Sequence, residues 1–213
     1  MAITVLLVDD HDLVRVGIKS LLQQSPDITV IGEANSGETA ITQARALKPN
    51  VILMDVTMPG IGGLEATRRL LQHDPATKVL IVSAHGAEPY PSRVLQAGAL
   101  GYITKGASVE EMVKAIRSVY ASKRYISPEV AQQLAFKHLN GENKSPFDEL
   151  SEREMQVLIM ITSGQKVSDI ADQLFLSPKT VNSYRYRLFE KLDIESDVEL
   201  THLALRHGLI ASE

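Results

Sequence analysis

Two hydrophobic periods alternate along the first 120 residues. Short apolar runs rich in β-branched residues occupy positions 3–8, 28–34, 51–54, 78–82 and 101–104. Between them, apolar residues recur at helical spacing over 13–22, 37–47, 64–71, 92–97 and 109–119. The runs are nearly continuous in apolar character, which suits strands buried on both faces. Five β–α units in this order predict a doubly wound, parallel, five-stranded α/β domain. The turn signals agree: Pro26-Asp27, Pro49-Asn50, Pro59-Gly60 and Asp74-Pro75 all fall between elements.

Beyond residue 121 only the helical period remains. One helix is predicted over 126–139, with Ser127 as its N-cap and Pro128 in its first turn. The polar, turn-rich stretch 140–146 is the best linker candidate. Further helices are predicted over 152–163, 167–174, 178–192 and 197–207. Ser151 with Glu154 matches a capping box, and Ser177-Pro178 repeats a cap-then-proline start. The expected division is therefore a domain over 1–121, a linking segment over 122–147 with one helix, and an all-α domain over 148–213.

Composition narrows the function. No apolar stretch in the sequence approaches the roughly 20 residues of a membrane span, and the opening ITVLLV is cut short by two aspartates. There is no cysteine, hence no thiolate metal site or disulfide framework. A cytoplasmic protein is expected. The 22 basic and 26 acidic residues give a net charge of −4, so any affinity for nucleic acid must come from local patterning. Residues 1–120 carry 11 basic and 12 acidic side chains, 121–147 carry 4 and 2, and 148–213 carry 7 and 12. Yet Lys179, Arg185, Arg187 and Lys191, against Glu190, concentrate positive charge on one predicted helix of that acidic last domain.

In a doubly wound sheet, ligands bind at the carboxyl ends of the strands. Asp9 and Asp10 follow the first strand, Asp55 the third, Ser83 ends the fourth and Lys105 the fifth. Three carboxylates at adjacent strand ends repel one another unless a cation joins them, and Mg²⁺ or Mn²⁺ suits oxygen ligands. The set fits a carboxylate that accepts a phosphoryl group, with cations on the transferring oxygens. Asp10 and Asp12 could instead cap the first helix. His11, His73 and His85 have no metal-ligand spacing and are read as non-catalytic, with His11 and His85 beside the pocket. The GIGG run at 60–63 lacks the third glycine of a dinucleotide loop and is read as a turn into the next helix.

The runs LLVDDH, VILMDVTMPG, VLIVSAH and GYITK resemble response-regulator receiver domains over residues 3–120. The resemblance implies that Asp55 is the phospho-acceptor and that Asp10, Asp55 and the Thr57 carbonyl hold Mg²⁺, with Asp9 directly or through water. It further implies that Lys105 pairs with the phosphoryl oxygens, that Ser83 swings to hydrogen-bond them, and that Tyr102 turns inward behind Ser83. Gly106 departs from the proline that many receivers carry after the lysine.

On a helical wheel of 178–192, Val181, Leu188 and Leu192 share one face, flanked by Tyr184 and Phe189. Lys179, Asn182, Ser183, Tyr186 and Arg187 occupy the opposite face. Asn and Ser can read base edges, while Lys and Arg can hold phosphates. With the preceding short helix and the turn Phe175-Leu176-Ser177, this makes a helix-turn-helix. Residues 150–198 resemble the four-helix DNA-binding domain of the LuxR/NarL/FixJ regulators, and VNSYRYR with HLALRHGL resembles its GacA/UvrY branch. The resemblance implies base contacts from Asn182, Ser183 and Tyr186, with Lys179, Thr180 and Arg187 nearer phosphates in the major groove. Arg185 departs from the aliphatic residue usual in relatives; snorkelling to a phosphate and pairing within its own domain both remain open. In the last helix, Leu200, Leu203, Ala204 and His207 lie at one face, which in the family pairs two DNA-bound subunits. His202 and His207 are placed at that surface, away from any metal.

The expected function is a non-enzymatic transcription regulator, phosphorylated by a sensor histidine kinase and binding double-stranded DNA as a homodimer. The resemblance adds small regulatory RNA genes as targets. An aspartyl-phosphate phosphatase or phosphotransferase is the main rival. Such enzymes usually need a second Asp two residues after the nucleophile, where this chain has Thr57. A protein-binding adaptor is the third reading.

Overall fold

A computed structural model of the chain describes residues 2–84, 90–139, 145–207 and 209–210. Packing divides these residues into two compact units, one ending at Gln133 and one beginning at Leu134.

The first unit is built on a parallel sheet. Its strands are β1 (Ile3–Val8), β2 (Ile28–Ala34), β3 (Val51–Met54), β4 (Val79–Ser83), β5 (Gly101–Thr104) and β6 (Tyr125–Ile126), in the order β2-β1-β3-β4-β5-β6. Five match the expected runs, with β4 shifted by one residue so that Ser83 lies inside the strand. The sixth is a correction. Tyr125 and Ile126 pair with β5 before the next helix starts, Tyr125 N–H donating to the Leu100 carbonyl and Ser127 N–H to that of Tyr102. Two residues are too few to show a period of 2, so hydropathy could not reveal this edge strand.

The helices are α1 (Asp12–Leu22), α2 (Gly37–Leu47), α3 (Gly62–His73), α4 (Tyr90–Gln96) and α5 (Val109–Tyr120). Ser36 and Ser108 cap α2 and α5, accepting from the amides of Thr39 and Glu111. One face of the sheet, carrying Val5, Leu7, Leu53, Leu80 and Ile103, shares a core with Ile18 and Leu22 of α1 and Ile116 and Val119 of α5. By strand alternation Leu6, Ile52, Met54 and Ile81 lie on the other face, and they too are fully buried. Burying each such side chain contributes about 1.5–3 kcal/mol, which fixes the strand register and with it the strand ends.

Helix α6 spans Pro128–Leu139. Its expected cap is not made: Ser127 Oγ is buried without a hydrogen-bond partner, and the residue contributes its carbonyl, which accepts from Ala131. The expected linker residues 140–144 lie outside the described residues. Ser145 and Pro146, taken as linker, open a 3-10 turn over Pro146–Glu149, with a capping box between Ser145 and Asp148.

The second unit continues with α7 (Glu152–Thr162), α8 (Val167–Leu174), α9 (Pro178–Leu192) and α10 (Asp197–Arg206). The Ser151–Glu154 capping box forms, and Ser177 caps α9 with Pro178 in the first turn, as the sequence predicts. Phe147, Leu158, Ile170, Leu174, Val181, Leu188, Leu200 and Ala204 are buried. Phe175 stops α8 in the left-handed conformation, φ 54°, a rare choice for a large side chain and one that sharpens the turn into α9.

Candidate functional site

The central strands β1 and β3 pair in register up to Val8 and Met54, so the next residues of both, Asp9 and Asp55, leave the sheet side by side. Asp55 N–H donates to the Val8 carbonyl and Asp9 N–H to that of Ala34, which fixes both backbones. Both carboxylates are buried, at 2% exposure each. Lys105 arrives from the end of β5. Its ammonium lies 2.7 Å from Asp9 Oδ2 and 2.7 Å from Asp55 Oδ2, bridging the pair.

Burial pushes the Asp55 carboxyl up to about 6, against the pull of Lys105 and with a push from Asp9. Burial also draws the Lys105 ammonium down, but Asp55 and Asp9 outweigh it and the net shift is upward. Two buried carboxylates against one ammonium leave the pocket short of positive charge. Asp10 adds a third carboxylate whose Oδ1 is buried and accepts no hydrogen bond. An unmet carboxylate oxygen beside two buried carboxylates is what a hard divalent cation satisfies, so the donor set fits Mg²⁺. The capping alternative fails. His11, not Asp10, is the N-cap of α1, no side chain caps that helix, and Asp12 is paired with Arg15.

The remaining predicted pocket residues fall nearby in the fold. Ser83 is fully buried, pairs with Thr104 across β4 and β5, and its carbonyl accepts from Lys105 N–H at 2.7 Å. Tyr102, expected to turn inward, is fully buried in β5 opposite Ile81. Thr57 N–H lies 3.3 Å from Asp55 Oδ1, and its hydroxyl is buried without a partner. His73 sits in the last turn of α3, while His85 lies outside the described residues.

Three participants were not legible as such in the sequence. His11, expected beside the pocket, has its Nδ1 2.9 Å from Asp10 Oδ1 and 3.2 Å from Asp9 Oδ1, a direct contact that the sequence did not give. Ligand spacing is a rule for residues on separate turns, and it misses a side chain that folds back on its immediate neighbours. Gly63 passes so near Asp55 that an added Cβ would lie 1.8 Å from the Asp55 carbonyl oxygen. GIGG is therefore more than a turn: only glycine fits this contact. Glu38 of α2 accepts from Ile61 N–H at 3.0 Å and pins the loop after β3.

On α9, Val181 and Leu188 are buried, while Lys179, Ser183, Tyr186 and Arg187 are exposed and Asn182 partly so. The wheel is therefore oriented as predicted. Two of its four cations are occupied within the unit. Arg185 binds Asp197, and Lys191 binds the buried Glu154 at 2.7 Å. The outward cations are Lys179 and Arg187, the latter 4.9 Å over the Tyr184 ring. Ser177 accepts from Thr180 N–H, and the Thr180 hydroxyl lies 2.8 Å from that of Ser177. Ser183 Oγ donates to the Lys179 carbonyl. On α10, Leu200 and Ala204 are spent on the unit's own core, leaving Val198 and Leu205 exposed. His202 is exposed, and His207 is exposed but meets the Phe147 ring edge-on at 5.6 Å.

Comparison with known proteins agrees with both halves. Residues 5–117 match the response regulator receiver domain, and residues 148–204 match the bacterial regulatory proteins of the luxR family. The response regulator GacA of Pseudomonas protegens is 60% identical over 208 residues, spanning 98% of each chain. The response regulator UvrY of Escherichia coli K12 is 55% identical over 212 residues, 99% of this chain and 97% of that one. A solved complex of the two-component response regulator RcsB with DNA aligns with a TM-score of 0.60 at 26% identity, covering 95% of this chain and 98% of that one.

Proposed function

The chain belongs to the bacterial response regulators that join a receiver domain to a LuxR-type DNA-binding domain, and from that premise we propose that Asp55 is the group through which it is switched. The observation that carries this reading is the Lys105 ammonium, held at 2.7 Å from both Asp55 and Asp9 at the carboxyl end of the sheet. A sensor histidine kinase is the proposed donor. An Asp55 carboxylate oxygen attacks phosphorus, the bond to the donor's imidazole nitrogen breaks, and an acyl phosphate remains on Asp55. Lys105, positioned by the two carboxylates, exchanges them for a phosphoryl oxygen. Asp10, Asp55 and the Thr57 carbonyl, with Asp9 directly or through water, would hold Mg²⁺, which supplies charge neutralisation to the transferring oxygens. The Ser83 hydroxyl turns to a phosphoryl oxygen, and Tyr102 fills the space behind it. That rearrangement biases a two-state element.

The output is DNA binding as a dimer, with α9 in the major groove. Lys179, Thr180 and Arg187 face phosphates, while Asn182, Ser183 and Tyr186 face base edges. The proposed boundaries are a receiver over 1–121, a link over 122–147 and the DNA-binding domain over 148–213, in a cytoplasmic protein. Among the described residues no helix is long and apolar enough to cross a membrane. On the family resemblance alone, we propose small regulatory RNA genes as targets. We read the chain as a regulator and not as an enzyme, since Thr57 stands where a phosphatase of this kind needs a general acid.

The test is labelling with a small phosphodonor in the presence of Mg²⁺. Wild type takes up label and gains affinity for its operator. Asp55→Asn takes up none, because the amide cannot form the acyl phosphate. Label on the Asn variant at the wild-type level would move the acceptor elsewhere.

A further inference from the structure

We propose that His11 is a nitrogen ligand at the mouth of the acidic pocket, and that it makes the pocket favour borderline divalent metals, Co²⁺ and Ni²⁺ in particular, over what its oxygen ligands alone would select. The proposal rests on the reading of Asp9, Asp10 and Asp55 as the cation site and adds a residue to it.

The geometry is the first argument. Ligand atoms at adjacent corners of an octahedron with bonds of about 2.1 Å lie about 3 Å apart. His11 Nδ1 lies 2.9 Å from Asp10 Oδ1 and 3.2 Å from Asp9 Oδ1. One ligand atom from each of Asp9, Asp10, His11 and Asp55 falls within 4.8 Å of the others.

The second argument is the unmet oxygen. Asp10 Oδ1 is buried without a hydrogen bond, and His11 Nδ1, 2.9 Å away, is its ion-pair partner only when the ring carries a proton on that nitrogen. A bare Nδ1 beside that oxygen sets two lone pairs against each other, whereas a cation beside both atoms satisfies oxygen and nitrogen together. The backbone that carries the ring is fixed at the pocket's edge. His11 is the extended N-cap of α1, φ −91° and ψ 111°, and its N–H donates to Asp9 Oδ1 at 2.8 Å.

The third argument is ligand chemistry. Imidazole suits nickel, cobalt and zinc, whereas Mg²⁺ keeps oxygen ligands and several waters. The ring is 64% exposed, so it can stand aside for hydrated Mg²⁺ and close on a metal that accepts nitrogen. The competing role is a simple hydrogen bond from Nδ1–H to Asp9 Oδ1, at 3.2 Å. That role supports the carboxylate for every cation equally, so the two differ in selectivity.

The experiment is calorimetric titration of the untagged full chain with Mg²⁺ and, separately, Co²⁺, for wild type, His11→Asn, His11→Ala and Asp10→Asn. We expect both His11 variants to lose about tenfold in Co²⁺ affinity while Mg²⁺ affinity stays within about twofold. The visible spectrum of bound Co²⁺ should shift on the same substitutions. Equal losses for both metals make His11 a support for Asp9 and overturn the proposal. Unchanged Co²⁺ affinity in both His11 variants, with both metals weakened by Asp10→Asn, overturns the ligand role of His11 alone. Unchanged affinity for both metals in Asp10→Asn overturns the cation site itself, and the phosphoryl-transfer reading with it.

Discussion

Arg185 and Asp197 form a two-bonded fork, Nε to Oδ1 and Nη2 to Oδ2, each 2.7 Å. It joins the middle of α9 to the first turn of α10, and the guanidinium also lies 5.4 Å over the Phe189 ring. Both alternatives for this residue stood open in the sequence, and the bond is made within its own unit. The fork turns an arginine of the recognition helix into a brace.

A brace and a phosphate contact differ in what their loss changes. Arg185→Leu and Asp197→Asn should each cost about 1 kcal/mol, in the upper range for a partly exposed bidentate pair. Hydrogen exchange of the α10 amides should quicken in either variant and no further in the double variant. The salt slope of DNA binding should stay at its wild-type value. A slope lowered by about 1 in Arg185→Leu would assign the guanidinium to a phosphate instead.

The pocket carries a pH signature when metal is chelated. Asp55 is raised from its ordinary 3.8 to about 6, so its contribution to stability is fully present below the unfolded value and lost as pH rises through about 6. At neutral pH the buried carboxylate therefore destabilises the fold, by no more than about 3 kcal/mol at 1.36 kcal/mol per unit. Asp55→Asn removes that charge and leaves Lys105 with Asp9. In EDTA, thermal unfolding should show the Asn variant more stable than wild type above pH 7, the gap closing toward pH 4. A constant gap across that range would mean the shift does not come from Asp55.

Much of this was legible because burial leaves a strong pattern. The central strands are apolar on both faces, so Val8–Asp9 and Met54–Asp55 announce where the sheet ends and its chemistry starts. What hid in the sequence depends on contacts between distant elements. Nothing local tells Gly63 that its missing Cβ faces the Asp55 carbonyl at 1.8 Å, or Glu38 that Ile61 N–H lies above it. The charge on α9 is less available than its count suggests for the same reason. Lys191 adds to that count until Glu154, 37 residues earlier, is brought to 2.7 Å.

That Lys191–Glu154 pair gives a prediction of opposite sign to Asp55. Burial pushes the Glu154 carboxyl up, but Lys191 and the Ser151 amide and hydroxyl outweigh it and hold it below the usual range. A depressed carboxylate stabilises above its unfolded value of about 4.3, and the contribution is lost as pH falls through the lower folded value. Glu154→Gln should therefore cost roughly 2 kcal/mol at pH 7, the scale of hydrogen bonds to a charged group. Melting temperatures of the two proteins should converge below pH 4. Wild type and variant falling in parallel down to pH 3 would show that Glu154 is not depressed.

The last prediction separates the residues of α9 that position from those that read. With Arg185 and Lys191 committed internally, the favourable phosphate term from this helix rests on Lys179 and Arg187. Arg187→Ala should weaken binding to cognate and random DNA alike and lower the salt slope by about 1. Asn182 is partly exposed between those two cations in sequence, and among the described residues its side-chain amide makes no internal hydrogen bond, which leaves it available to a base edge. Asn182→Ala should cost about 1–3 kcal/mol on the cognate site and relax the preference at one base position. Ser183 donates its hydroxyl to the Lys179 carbonyl, so Ser183→Ala should cost less than Asn182→Ala. The measurement is a salt series on cognate and scrambled duplexes for the three variants. Altered base preference in Arg187→Ala with none in Asn182→Ala would mean that α9 enters the groove on a different edge.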